Sequence, residues 1–198
     1  MKAYDRPRRL GSMAFRAFIS ADIQPGEALV DVLGKLARSR ADLKIVKSQL
    51  LHVTLKFLGD TDEGLVQGID ERIAASCKGI GPFRIKLQGM GAFPSLSNIR
   101  VIWVGMQDGD QLGEIARRLD IALKELGFER DKKGFVPHLT VARTRTPRNI
   151  ANVHEILRDS ATTDYGEYPV DRILLKKSVL NPQGPTYSIV SEHLLQSD

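Results

Sequence analysis

The stretch Leu51-His52-Val53-Thr54-Leu55-Lys56-Phe57-Leu58-Gly59 has an echo 86 residues on, in Phe135-Val136-Pro137-His138-Leu139-Thr140-Val141-Ala142-Arg143. Both are rich in apolar and β-branched residues and are bounded by Gly or Pro, so each predicts a β-strand. Side chains two apart on a strand share a face. His52 and Thr54 therefore point one way, and His138 and Thr140 do the same on the second strand. Strict alternation sends Val53, Leu55 and Phe57, with Leu139 and Val141, to the opposite face. That apolar face requires a core. The His/Thr face requires another explanation, and it occurs twice in a chain with only four histidines.

A single His-x-Thr is common and carries little weight. Two strands that each offer His and Thr can face one another across a cleft. Two imidazoles then act as acid and base near neutral pH. Two hydroxyls hold an anion between them. The anion that suits a base on one side and an acid on the other is a phosphodiester undergoing in-line displacement. No His/Cys/Asp cluster has metal-ligand spacing, so the reading is metal-free and needs no cofactor. Sequence alone does not say which histidine is the acid.

At these residues the chain resembles the two-histidine (2H) phosphoesterase superfamily, defined by two His-x-Thr/Ser motifs. Within it, the chain is similar to the RNA 2′,3′-cyclic phosphodiesterases, also named 2′-5′ RNA ligases or LigT-like proteins. The resemblance extends from Met13 onward. It includes Arg16-Ala17-Phe18-Ile19, Gly91-Ala92-Phe93-Pro94, Val101-Ile102-Trp103-Val104-Gly105, Ser178-Val179-Leu180 and Gly184-Pro185-Thr186-Tyr187. It implies a two-lobed fold and the opening of RNA 2′,3′-cyclic phosphate ends. It also implies His52 as proton donor, His138 as proton acceptor, and release of O3′ to leave a 2′-phosphate.

Composition adds bounds. A chain of 198 residues, 42% hydrophobic and 27% charged, suits one ordinary globular unit. Of the net charge of +5, Lys2, Arg6, Arg8 and Arg9 against Asp5 place +3 in the first twelve residues. Bulk basicity is thus poor evidence for a nucleic-acid partner, and RNA binding must come from local placement. One cysteine, Cys77, allows no intrachain disulfide. No membrane-length apolar run and no leader are evident. The expectation is a cytoplasmic monomer.

Residues 1–12 read as a basic, poorly ordered tail, with Met13 as a plausible native start; a basic RNA-touching arm is the alternative. Residues 13–198 read as a single two-lobed domain. Strands are expected at Ala14–Ser20, Leu43–Val46, Gln49–Leu58, Phe83–Gly89, Arg100–Gly105, Phe135–Arg143, Pro169–Val179 and Thr186–Leu194. Helices are expected at Glu27–Arg38, from Asp60 to about Lys78, at Gln111–Leu126, and from an N-cap at Thr146 to about Arg158. Gly59 should end its strand, and Met90–Ile99 should be a Gly/Pro/Ser-rich loop. Cys77 and Trp103 read as core, His154 as solvent-facing, and His193 has no assigned role. The fold class is α+β: two pseudo-symmetric lobes of antiparallel sheet, helices on the outer faces, and a groove between the lobes.

Beyond the two histidines, Thr54 and Thr140 are expected to bind the substrate, and Arg143 to join them. Strict alternation points Arg143 away from His138, unless a bulge turns it inward. Lys56 shares the parity of His52 and can face the groove as a weaker phosphate ligand. Tyr187 can stack a base, and Phe18 reads as core. Two further functions stay open: a related enzyme for a small cyclic nucleotide or an ADP-ribose cyclic phosphate, and a non-catalytic RNA-binding module whose histidines are structural.

Overall fold

The computed structural model describes residues 14–132, 134–182 and 184–197. The basic residues 1–12 and the start at Met13 lie outside them. Strands β1 (Ala14–Asp22), β3 (His52–Asp62), β8 (Arg172–Asn181) and β9 (Gly184–Leu194) form one antiparallel sheet in the order β3-β1-β8-β9. Strands β2 (Leu43–Ile45), β4 (Phe83–Ser95), β5 (Asn98–Gln107), β6 (His138–Thr144) and β7 (Asp164–Val170) form the second, in the order β2-β6-β5-β4-β7. Helices α2 (Val66–Cys77) and α3 (Asp110–Ala122) lie against the first sheet. Helices α1 (Glu27–Arg38) and α4 (Ile150–Asp159) lie against the second. The architecture is the expected α+β, with one motif strand in each sheet.

Helical periodicity accounts for the packing. Leu29, Val32, Leu33 and Leu36 of α1 are buried, as are Leu112, Ile115, Ala116 and Leu119 of α3. The last turn of the α3 segment tightens to 3₁₀ and stops at Gly127, whose φ of 81° is left-handed and suits glycine. Cys77 is buried in the core, and burial pushes its thiol up to about 11, so it is inert packing.

Several boundaries differ from the sequence expectation. The Met90–Ile99 segment is not a loop: β4 continues to Ser95 and β5 begins at Asn98, leaving a tight turn at Leu96 and Ser97. Gly59 does not end β3; with φ 70° it stays paired with Ala17, and the strand runs to Asp62. Pro169–Val179 is not one strand. The chain leaves the second sheet at Val170, and enters the first at Arg172. Thr146 does not cap α4, which starts at Ile150; its hydroxyl instead donates to Asp42 at 2.9 Å.

The largest departure is Lys56. It lies on the apolar side of β3, opposite Ile19, rather than in the groove, because an extra residue at Leu55 breaks the alternation after Thr54. There Lys56 is 7% exposed and ion-pairs with Asp120 of α3. Its ammonium also donates to the Glu129 carbonyl at 2.7 Å. Asp120 accepts in addition from the Arg130 guanidinium at 3.0 Å and the Asp131 N–H at 2.8 Å. These bonds hold Asp120 below the usual carboxylate range against the opposing effect of burial. The network fastens the segment that leads to His138 onto the strand that carries His52. Removing one partner of a buried pair strands the other charge. Lys56→Met is expected to cost about 3 kcal/mol, a fall in Tm of roughly 6–12 °C for a chain of this size. Thermal unfolding checks this; an unchanged Tm together with weakened substrate binding would return Lys56 to the groove.

Candidate active site

Both motif strands carry the same irregularity at the same place. On β3, Ile19 pairs with Lys56 and Ser20 with Thr54, so Leu55 is an extra residue. On β6, Ile102 pairs with Ala142 and Trp103 with Thr140, so Val141 is extra. Each bulge lies one residue beyond the motif threonine. A one-residue insertion flips every later side chain to the other face. The fifth residue after each histidine therefore turns to the His/Thr side: Phe57 on β3 and Arg143 on β6. Phe57, expected in the core, is 68% exposed, and its ring centroid is 6.3 Å from that of Phe18. Arg143 shares the face of His138 and Thr140 and pairs in register with Val101 and Lys44.

The two histidines are oriented alike. The Nδ1 of His52 lies 2.7 Å from the Leu50 carbonyl, and the Nδ1 of His138 lies 2.7 Å from the Val136 carbonyl. A carbonyl only accepts, so Nδ1 carries the proton in both. Each Nε2 is left as the working atom, a base when neutral and an acid when protonated. Aromatic rings brace both imidazoles. Phe18 and Tyr187 stand 5.0 and 5.3 Å from His52, the tyrosine edge-on at 89°. Phe93 stands 5.1 Å from His138, also at 89°. Phe18 is buried, but on the groove face beneath His52 rather than in the main core. Trp103, expected in the core, is half-buried on the groove face against Phe93. Gly91 makes room for it, since a Cβ there would meet the indole at 2.2 Å.

Thr54 and Thr140 occupy the positions next to their histidines on the same face, opposite Ser20 and Trp103 respectively. The Ser20 hydroxyl and the Trp103 Nε1 are buried without a hydrogen-bond partner among the described residues. The floor beside His52 also holds an ion pair between Lys176 of β8 and Asp22 of β1, the register partner of His52. Burial pushes the His52 imidazole below the ordinary histidine range. The Leu50 carbonyl opposes that, Lys176 and Arg143 add to it, and Asp22 opposes it. The influence of Arg143 on His52 and on Tyr187 crosses from one sheet to the other. One face of each sheet thus forms a common groove, where β3 and β6 approach each other.

The remaining histidines lie elsewhere. His193 Nε2 is 3.1 Å from the Asp70 carboxylate, tying β9 to α2, and His154 is exposed on α4. Among the described residues no group of three or more His, Cys, Asp or Glu is placed to hold a metal ion. Sequence reading missed Phe57 and Phe93. For Phe57 a signal existed: superposing the two motifs puts it where the second copy has Arg143.

The model of the 2′-5′ RNA ligase superfamily matches residues 25–179. The chain belongs to the 2′-5′ RNA ligase superfamily. Among relatives in this family, the RNA 2′,3′-cyclic phosphodiesterase of Methanothermobacter thermautotrophicus is 34% identical over 178 residues, 89% of this chain and 96% of the relative. The protein of the same name from Archaeoglobus fulgidus is 36% identical over 174 residues, 87% of this chain and 96% of the relative. A crystal structure of a Thermus thermophilus protein superposes with a TM-score of 0.75 at 28% identity, covering 92% of this chain and 99% of that one. E. coli LigT complexed with 3′-AMP shares the fold, with a TM-score of 0.73 at 21% identity over 93% of this chain and all of the other. The superfamily fold is thus built here from two sheets with a bulged His-x-Thr strand in each.

Truncating a core phenylalanine costs about 3–5 kcal/mol, whereas exposed substitutions stay within about 0.5 kcal/mol. Phe57→Ala is therefore expected to leave Tm within about 2 °C of the parent. It should weaken a nucleotide in the groove by roughly 1–3 kcal/mol, the worth of a stacked base. Thermal unfolding and a nucleotide titration check both; a large loss of Tm with unaltered nucleotide binding would put Phe57 back in the core.

Proposed function

We propose that the chain hydrolyses RNA 2′,3′-cyclic phosphate ends to 2′-phosphomonoesters by metal-independent acid/base catalysis. The observation that carries this reading is the matched pair of histidines, each with Nδ1 fixed by the carbonyl two residues before it. The curated relatives named RNA 2′,3′-cyclic phosphodiesterase support the substrate class.

In this mechanism the Nε2 of neutral His138 takes a proton from water. The water oxygen attacks phosphorus in line, the P–O3′ bond breaks, and Nε2–H of His52 protonates the departing O3′. The product is a 2′-phosphate with a free 3′-hydroxyl, and both histidines have exchanged protonation states. The Thr54 and Thr140 hydroxyls donate to the non-bridging oxygens, and Arg143 adds its guanidinium to the developing charge. With the 5′-hydroxyl of another RNA in place of water, the same groups open the cyclic phosphate to a 2′-5′ linkage: the 5′ oxygen attacks phosphorus as His138 takes its proton, the P–O3′ bond breaks, and His52 protonates O3′; the reverse step cleaves that linkage.

The order of donor and acceptor rests on family resemblance, since the two imidazoles are held alike. The lowered His52 pKa favours its neutral form in the free protein. A bound phosphate anion raises the pKa of an adjacent imidazole, which supplies the protonated acid where it is needed. Phe57 and Tyr187 offer the terminal base an aromatic surface on the His52 side of the groove. No helix among the described residues is long and apolar enough to cross a membrane. Both histidines belong to one chain, which suits a monomer, and RNA as substrate suits the cytoplasm.

His52→Ala and His138→Ala are each expected to lower the rate by about 10²–10⁴-fold with the fold intact. The double variant should be little worse than the slower single one, because the pair works as a unit. Hydrolysis of a 2′,3′-cyclic-phosphate dinucleotide, followed by phosphorus NMR, checks rate and product together. Parent-like turnover in either variant would overturn the assignment. A 3′-phosphate product would reverse the substrate's orientation while sparing the two-histidine chemistry.

A further inference from the structure

Cations are distributed unevenly over the surface. On the helices several are answered by carboxylates: Lys35 by Asp31, Arg72 by Glu125, Arg117 and Arg118 by Glu114. At the far end of the motif strand β6 they are not. Lys44, Arg100, Arg143 and Arg145 form no ion pair among the described residues. Lys44 and Arg143 are register partners on β2 and β6, on the groove face. Just beyond them is a cavity of about 410 Å³. It lies between the tip of the β4–β5 hairpin, the end of β6 and the start of α4. Arg100, Arg145, Thr144, Thr146, Ser97 and His154 are among its lining residues.

The chemistry of the lining points to a phosphate. Two guanidiniums supply bidentate donors. Hydroxyls and an imidazole stand around them. The Thr144 hydroxyl oxygen is buried in the wall and lacks a partner among the described residues. A buried hydroxyl left unpaired costs free energy that a ligand oxygen would recover. No acidic residue is among the lining residues; Asp42 stands behind the wall, where its carboxylate accepts from the Thr146 hydroxyl. Lys44 and Arg143 stand on the groove face one register pair before Leu43 and Thr144, so a strand leaving the histidine groove along them would reach the cavity by passing the end of β6.

The spacing points to a polymer rather than to a second small molecule. Thr144 follows His138 by six residues along one strand, so roughly 20 Å separate them at 3.2–3.4 Å per residue. A stacked strand carries one phosphate per about 3.4 Å, so that distance corresponds to about five or six nucleotides, fewer if the strand is extended. We propose that the Arg100/Arg145/Thr144 cavity is a backbone-phosphate subsite for an RNA strand, reached along Lys44 and Arg143, and that it makes the enzyme prefer oligonucleotide ends to mononucleotides. This rests on the reading of the groove as a cyclic-phosphate site. It supplies locally the basic surface that the net charge does not.

The test compares a ten-nucleotide RNA ending in a 2′,3′-cyclic phosphate with the corresponding 2′,3′-cyclic mononucleotide. Substrates are given to the full chain and to the Arg100→Ala/Arg145→Ala variant. Both arginines are exposed, so the fold is expected to survive, and unfolding curves verify it. The variant should lose roughly tenfold or more in kcat/KM on the oligonucleotide, mostly through KM, and nothing on the mononucleotide. The salt dependence of oligonucleotide kcat/KM should flatten by about 0.7 in log–log slope, the contribution of one phosphate contact to a single strand. Equal kcat/KM on the oligonucleotide for parent and variant would overturn the subsite and leave the histidine chemistry standing. So would equal losses on both substrates, or a parent with no preference for the longer one. A parent inert on both substrates would instead overturn the reading of the groove, and the subsite with it.

Discussion

Side chains on a strand alternate with no intermediate state, so one extra residue reverses everything beyond it. The groove depends on two such reversals. Leu55 and Val141 each interrupt a motif strand one residue past its threonine. Before the bulge, the His/Thr pair faces the groove while Val53 and Leu139 fill the core. After it, Lys56 and Ala142 are turned inward and Phe57 and Arg143 outward. The carbonyl of the second bulge is also used, since the Val46 N–H donates to Val141 at 2.9 Å. The same device gives two different results. One wall gains an aromatic ring and the other a guanidinium. A site whose two His/Thr pairs are nearly alike thereby acquires the asymmetry that an asymmetric substrate requires.

Orientation of the histidines needs little from afar. Each is tied to the carbonyl two residues earlier, so the strand entry itself selects the working nitrogen. What must be held from afar is the relation between the two strands, which lie in different sheets. Lys56 and Asp120 do this from beneath, binding the Glu129 carbonyl and the Asp131 N–H on the approach to His138. From above, Arg143 and the Lys176–Asp22 pair act on His52 and help set the charge it carries. The residue that sequence alternation offers as a groove cation therefore supports the site from the core side. The cation it points away is the one on the groove face.

The repeated His-x-Thr, the apolar faces of both motif strands and the stripes of α1 and α3 were legible because each is a local periodicity. The two-sheet α+β class followed from one motif strand in each half of the chain. The bulges were not legible, because register belongs to a pair of strands and neither strand's own residues announce it. Phe57, Lys56 and Arg143 were all misplaced by strict alternation for that single reason. The Met90–Ile99 stretch hid a hairpin because Gly91, Pro94, Ser95 and Ser97 read as loop, whereas Gly91 lies under the Trp103 indole within the sheet. The transfer of the chain between sheets at Asp171 left no mark in the apolar pattern on either side. The unpaired cations at the end of β6 come from three separate segments, and only folding gathers them.

The pH dependence of kcat/KM on a 2′,3′-cyclic nucleotide tests the account most directly, since it reports the free protein's ionisations. The rate should fall on both sides of an optimum, because one histidine works neutral and the other protonated. With His52 as the acid, activity is lost as pH rises through its pKa, and burial has lowered that pKa. The optimum should therefore be drawn toward acid. A profile that climbs to a plateau and has no alkaline limb would contradict a histidine acid in the groove.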